Sequence, residues 1–201
     1  MNKDAIFTRH STRCFDSAYE IPHDTQSAIL EAGINAPSPK NRQPWRFVVL
    51  DKKNDIQKVS DILEAQLKLL KEDRTSRGAD SADLDMALMT SKTIRDVSLL
   101  VLICYERDES NEHGEIMGWP ITAQAFEVAD LLSIGACVQN MLLMAETLEI
   151  DSLWICDILY AERELSLFFN TEYPIVSAVV FGKEQKRRTM RCTLDEKAKW
   201  V

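Results

Sequence analysis

The chain has 201 residues, 45% hydrophobic and 28% charged, with a formal charge of −8 at neutral pH. That length suits one larger domain over residues 1–201 with a packed core of its own. The negative charge argues against a nucleic-acid partner, which needs accumulated positive surface. No stretch is expected to reach the roughly 18 apolar residues of a membrane span, and the N-terminus lacks a charged-then-apolar signal, so the expectation is a cytoplasmic protein.

Residues 3–8 predict a short helix that ends at Arg9-His10-Ser11-Thr12-Arg13-Cys14-Phe15. A second helix is expected over 25–35, with Ala28, Ile29 and Ala32 on one face and Asp24 or Thr25 as its cap. The polar loop 36–44 leads into a strand over 46–50, closed by Asp51-Lys52-Lys53-Asn54. Ile56, Val59, Ile62, Leu63, Leu67 and Leu70 then recur at helical spacing. Residues 71–83 are charged and small, and predict a mobile surface loop or a helix–helix connection. The unbroken apolar run 99–104 predicts a strand over 97–105 that is buried on both faces and central in its sheet.

Residues 108–120, with Gly114, Gly118 and Trp119, read as a functional loop. The longest helical pattern covers 123–148; its centre, 134–145, is apolar almost all round apart from Gln139 and Asn140, and so must be buried on several sides. A strand over 152–158, a helix over 162–169 and a strand over 175–181 complete the order α-β-α-α-β-α-β-α-β plus a tail. With neither a GxGxxG turn nor a P-loop, a Rossmann or phosphoryl-transfer fold is not indicated. An α+β fold with three α-β-α layers around a small mixed sheet fits best.

Two segments carry the chemistry. Arg9, His10, Ser11 and Arg13 put two guanidiniums, an imidazole and a hydroxyl within five positions, which suits a monophosphate, a ribityl chain and the polar edge of a flavin. In 36–45, Pro37, Pro39 and Pro44 fix much of the backbone, while Ser38, Asn41 and Gln43 offer short neutral hydrogen-bonding groups at little ordering cost. The five cysteines (Cys14, Cys104, Cys137, Cys156, Cys192) are dispersed and the three histidines do not pair at ligand spacing, so neither disulfides nor a metal site are expected. His23 and His113 read as solvated side chains.

Arg-x-Ser-x-Arg-x-Phe at 9–15, Ala-Pro-Ser-x-x-Asn-x-Gln-Pro-Trp at 36–45 and Ala136-Cys137-Val138-Gln139-Asn140-Met141-Leu142-Leu143-Met144-Ala145 together resemble the nitroreductase family of FMN-dependent NAD(P)H oxidoreductases, over nearly the whole chain. The resemblance implies that Arg9, Ser11 and Arg13 contact the flavin phosphate and pyrimidine edge, with His10 beside the ribityl chain. It implies that Pro37, Ser38 and Asn41 line the flavin across a dimer, with Gln43 steadying the loop. Arg191, and more weakly Arg188, would bind phosphate; Lys183, Lys186 and Arg187 read as solvated.

A homodimer built on the long helix is implied as well, and a ping-pong cycle. NADH or NADPH would reduce FMN, and an electron-poor small molecule such as a nitroaromatic, quinone or enone would take the electrons. Flavin N5 is then the reactive centre and no side chain is a strong acid or base. Cys156 and Asp157 fall near N5, where the family favours glycine, and this departure supports an alternative: a flavin carrier or redox sensor without general reductase activity. Cys156 itself reads as a packing residue rather than a redox thiol. Trp45 is expected under the loop and Trp154 in the strand core; Trp119 either stacks over a substrate or the flavin, or plugs the fold.

Overall fold

The computed structural model describes residues 4–107, 113–116 and 119–185. In chain order come α1 (Ala5–Thr8), α2 (His23–Ile34), β1 (Trp45–Leu50), α3 (Lys53–Ser76), α4 (Ala82–Ile94) and β2 (Leu99–Tyr105). After these follow β3 (His113–Ile116), β4 (Trp119–Thr122), α5 (Ala123–Thr147), β5 (Asp151–Ile155), α6 (Glu162–Phe169) and β6 (Ile175–Gly182). Short 3-10 turns at Pro39–Asn41 and Asp157–Ala161 punctuate the chain.

Strands β1, β2, β6 and β5 make one sheet in that order, every neighbouring pair antiparallel. The sheet is thus antiparallel rather than mixed as expected; the Ser11–Ser152 contact is an isolated parallel bridge outside the named strands. All seven residues of β2 are buried, as its unbroken apolar run requires of a central strand. Alternation along the strands divides the core in two. On one face Leu50, Leu100, Leu102, Leu153 and Val180 meet Val59, Leu63 and Leu67 of α3, Leu84 of α4 and Leu165 of α6. On the other, Trp45, Val101, Ile103 and Phe181 meet Ile29 of α2 and Ile134, Val138 and Met141 of α5. The result is the three-layer α-β-α arrangement expected from the sequence.

Several local readings need correction. The polar stretch after Leu70 does not leave the helix: α3 continues to Ser76, and Arg74 donates to both carboxylate oxygens of Asp83 at 2.7 and 2.9 Å, joining α3 to α4. Leu84 and Ala87 then bury against the first core layer. The expected loop 108–120 contains, where it is described, an antiparallel hairpin with Ile116 opposite Trp119. No side chain caps α2, whose N-cap is Pro22; Asp24 lies instead in the first turn, where it complements the helix dipole. Strand β5 stops at Ile155, and its expected last residues turn into the 3-10 segment.

Contrary to expectation, among the described residues one helix is long and apolar enough, by length and composition, to cross a membrane: Ala125–Thr147 of α5. Its centre is covered inside the chain, because Ile134, Cys137, Val138, Met141, Leu142 and Ala145 lie in the second core layer. Uncovered apolar surface sits in the N-terminal half, where Val128, Leu131 and Leu132 are 51%, 40% and 71% exposed at helical spacing.

Gly182 closes β6 against the N-terminal segment. A Cβ there would stand 2.8 Å from Cδ1 of Phe15, a ring that is itself 2% exposed. Gly182→Ala is expected to destabilise the fold by about 1–3 kcal/mol through overpacking. Urea unfolding with an unchanged m-value would register this as a lower midpoint.

Candidate functional site

The Arg9–Phe15 segment is stitched to the Asp151 end of β5 and the tail end of β6. The Thr12 N–H donates to the Ser152 carbonyl at 3.0 Å, and Phe15 bridges to Glu184. His10 locks this crossing: Nε2 lies 3.1 Å from Oε2 of Glu184 and 3.3 Å from the Thr12 hydroxyl, and Nδ1 lies 3.3 Å from the Thr8 carbonyl. Asp151 accepts the Glu184 N–H at 2.8 Å. Both His10 ring nitrogens thus face partners within the chain, so His10 fixes the segment's course.

The arginines differ. Arg9 is half-buried and Arg13 exposed. Among the described residues neither guanidinium has a carboxylate partner; Arg13 makes one long bond, Nη1 to the Ser11 carbonyl at 3.4 Å. Two uncommitted cations beside the exposed Ser11 hydroxyl form an anion-receiving surface. The backbone under Arg13 is held by α4, where the Thr93 hydroxyl donates to the Arg13 carbonyl at 3.3 Å.

The Pro-rich loop is built differently from the sequence reading. Lys40, Asn41 and Gln43 all have left-handed φ, at 54°, 54° and 51°. Such conformations cost about 1–3 kcal/mol each in non-glycine residues and gather at functional sites. Ser38 and Gln43 close the loop together: the Ser38 Oγ accepts the Gln43 N–H at 2.9 Å, leaving its own proton to donate. Asn41 and Pro37 are exposed. Trp45 is buried beneath the loop, as expected.

A second anchor was not visible in the sequence. Arg42 Nε donates to Asp130 Oδ1 at 2.8 Å, and Arg42 Nη2 bonds the same oxygen. The Tyr105 hydroxyl donates to the other Asp130 oxygen at 3.3 Å. Burial, together with the Asp130 charge, pushes the Tyr105 hydroxyl up to about 12, so it stays a neutral donor. The Arg42 guanidinium carbon lies 5.5 Å from the centre of the Phe126 ring. Arg42 and Asp130 are 88 residues apart, which no local pattern reveals.

At the far end of β5, Cys156 is exposed and not packed as expected. Its φ of −96° and ψ of −15° suit any residue, so glycine is not required there. Partial burial of the sulfur and the Asp157 charge push its thiol up, which suppresses the reactive thiolate. Asp157 opens the 3-10 turn, whose first N–H groups have no partner within the turn. Trp154 is 41% exposed rather than in the core; it lies on the α5 side of the sheet, where a Cβ on Gly135 would stand 3.9 Å from its ring. Trp119 belongs to β4. Arg188 and Arg191 lie outside the described residues.

The two chemical segments do not meet within one chain. β1 and β5 are the opposite edge strands, and the Trp45 end of β1 lies at the other end of the sheet from Asp151. With about 17–20 Å along a strand and roughly 14 Å across three strand spacings, they sit at diagonal corners. A cavity of about 380 Å³ between Tyr19, Gln26, Asp51 and Ser98 includes none of these residues.

The chain is 39% identical over 54 residues to YdgI of Bacillus subtilis (strain 168), provisionally named an NAD(P)H nitroreductase, an alignment that takes in 27% of this chain and 26% of that protein. Such alignments with curated relatives thus span about a quarter of their length. Solved structures match over far more. A provisionally named nitroreductase from Desulfovibrio desulfuricans, crystallised with FMN, superposes with a TM-score of 0.69 at 25% identity, covering 96% of this chain and 92% of that one. A BluB-like flavoprotein from Clostridium difficile 630 shares the fold with a TM-score of 0.79 at 18% identity, over 100% and 99% of the two chains. The sequence model of the Nitroreductase family matches residues 6–183, and this chain belongs to that family.

Proposed function

We propose that the chain is a single-domain, FMN-dependent NAD(P)H oxidoreductase that works as a homodimer. The single observation that carries this reading is the pair of uncommitted arginines, Arg9 and Arg13, set diagonally across the sheet from a strained polar loop. One chain alone cannot close them around one small ligand; two copies can. The FMN-bound relative and the NAD(P)H names of the curated relatives support the choice of ligands.

In this reading Arg9, Ser11 and Arg13 of one subunit hold the phosphate and the pyrimidine edge, while Pro37, Ser38 and Asn41 of the other line the ring system and ribityl chain. His10 and Gln43 act on backbone geometry, and Arg191 and Arg188 are further phosphate candidates. When bound, FMN supplies two-electron transfer between NAD(P)H and an electron-poor acceptor such as a nitroaromatic, quinone or enone. The protein binds, orients and stabilises charge: cations at the pyrimidine edge favour the reduced, more negative cofactor. The backbone N–H groups at the start of the 3-10 turn, beside Cys156 and Asp157, would be the donors for N5. NAD(P)H and the acceptor would bind in turn, the ping-pong order, with Trp119 as candidate contact for the acceptor. A cytoplasmic location, with access to NAD(P)H, belongs to the same reading.

Exposed apolar groups support the dimer. Ile6 and Phe7 of α1 are 52% and 76% exposed, α1 packs on α5, and Val128, Leu131, Leu132 and Trp154 are exposed as well. That much apolar surface on one side marks an association face. In this reading the interface lies on the N-terminal half of α5, where these apolar groups are exposed.

Anaerobic mixing of the FMN-loaded protein with NADH or NADPH tests the function. Loss of flavin absorbance followed by its return on adding a quinone is the expected result. A flavin that remains oxidised with both donors would overturn the reductase reading in favour of a carrier or sensor.

A further inference from the structure

We infer that Arg42, through its buried bond to Asp130, is a positioning residue that holds the Pro37–Gln43 loop in its flavin-binding shape. The inference rests on the reading of the loop given under Proposed function and goes beyond it, since it names what sets the loop's geometry.

The loop is not stable on its own terms. Three of its residues, Lys40, Asn41 and Gln43, sit in left-handed conformations that non-glycine residues avoid. Its internal bonds, Ser38 Oγ with the Gln43 N–H and the Ser38 carbonyl with the Asn41 N–H, close the turn but do not tie it to the body of the protein. Among the described residues, Arg42 is the one side chain of 37–43 that hydrogen-bonds another element.

That bond is strongly determined. The side chains of Arg42 and Asp130 are 10% and 4% exposed. A carboxylate so deeply buried requires its cation. Tyr105 fixes the other Asp130 oxygen from the end of β2, and Phe126, one turn before Asp130 on α5, provides a ring face for the guanidinium and for Lys40, whose Nζ lies 5.9 Å from the ring centre. Three groups from two elements, Tyr105 at the end of β2 and Phe126 and Asp130 of α5, thus hold the residue between Asn41 and Gln43, the two candidates for flavin contact and loop support. A planar guanidinium can bond one oxygen through two N–H groups while stacking on a ring; a lysine ammonium cannot reproduce both. Phe126 stands in the first turn of α5, directly after the β3–β4 hairpin, so the same grip sets the loop's position relative to the hairpin.

Because Arg42→Met alone would strand the Asp130 charge, the decisive variant is Arg42→Met with Asp130→Asn. It removes both charges, fills the arginine stem volume and leaves Tyr105 an acceptor. Two readouts are followed: hydrogen exchange of the Gln43 amide in the flavin-free protein, and FMN affinity by fluorescence titration. Expected are at least tenfold faster Gln43 exchange and FMN binding weakened tenfold or more, because small displacements of positioning groups have effects of that order or larger. Arg42→Lys should fall between this variant and the parent in both. Ile29→Val, a core change in the same layer, serves as control for general loss of stability and should move neither readout. If the parent takes up FMN while the double variant matches it in affinity and in Gln43 exchange, the role of Arg42 is overturned and the flavin reading stands. If the parent itself takes up no FMN, the flavin reading fails and this inference with it.

Discussion

Leu132→Glu is expected to give a folded monomer that no longer retains FMN. Leu132 is 71% exposed in the single chain, so a charge there meets water and leaves folding nearly untouched. In a two-fold dimer formed by the N-terminal half of α5, the same carboxylate enters an apolar contact twice, once from each subunit. A desolvation penalty of at least ~2 kcal/mol per copy sums to ~4 kcal/mol, which weakens association by roughly a thousandfold. Flavin affinity should fall in parallel, because the Arg9–Arg13 segment and the Pro37–Gln43 loop occupy diagonal corners of one chain and, in the proposed dimer, come from two. Leu142 provides the contrast. At 4% exposure it lies within its own subunit's core, so Leu142→Glu should unfold the chain rather than separate subunits. Light scattering, thermal melting and FMN titration on the two variants separate these outcomes. A dimeric Leu132→Glu protein that still binds FMN would remove this interface from consideration.

The contrast between these two leucines also shows what the sequence could convey. Hydrophobic periodicity identified α5, and the run 99–104 correctly placed β2 in the sheet's centre, because burial on all sides leaves a compositional trace. Which apolar residues of α5 are covered by the chain itself depends on where α2 crosses it, and the crossing leaves no periodic signal. Polar stretches misled for a related reason. Residues 71–76 look like a loop, yet they are helical because Arg74 and Lys71 find Asp83 and Asp85 across the turn to α4. Trp154 has strand-core composition but stands on an edge strand, on the face that the end of the layer leaves open.

At the site, the residue types of Arg9, Ser11, Arg13, Ser38 and Asn41 were legible because chemistry is written in side chains. Their supports were not. Glu184 beneath His10 and Asp130 beneath Arg42 are 174 and 88 residues away in sequence, and each becomes visible only when the sheet brings distant strands and helices together. Nor did the sequence reveal that three loop residues take left-handed backbone, since none of them is glycine.

Arg9→Ala and Arg13→Ala should each weaken FMN binding without affecting the fold. Neither guanidinium is paired to a carboxylate among the described residues, so removing it strands no buried charge. Each charge-assisted hydrogen bond to the ligand is worth about 1.5–3 kcal/mol, or roughly 10- to 150-fold in affinity. The double variant should lose less than the sum if both cations serve the same anionic group, because contacts that share a partner are not additive. Comparing FMN with riboflavin assigns the role. If these arginines hold the phosphate, the parent should prefer FMN, the variants should lose that preference, and the preference should shrink as salt screens the charges. If they serve the pyrimidine edge instead, both ligands should weaken together. Variants that bind both flavins as tightly as the parent at low and high salt would show that the N-terminal segment does not touch the cofactor.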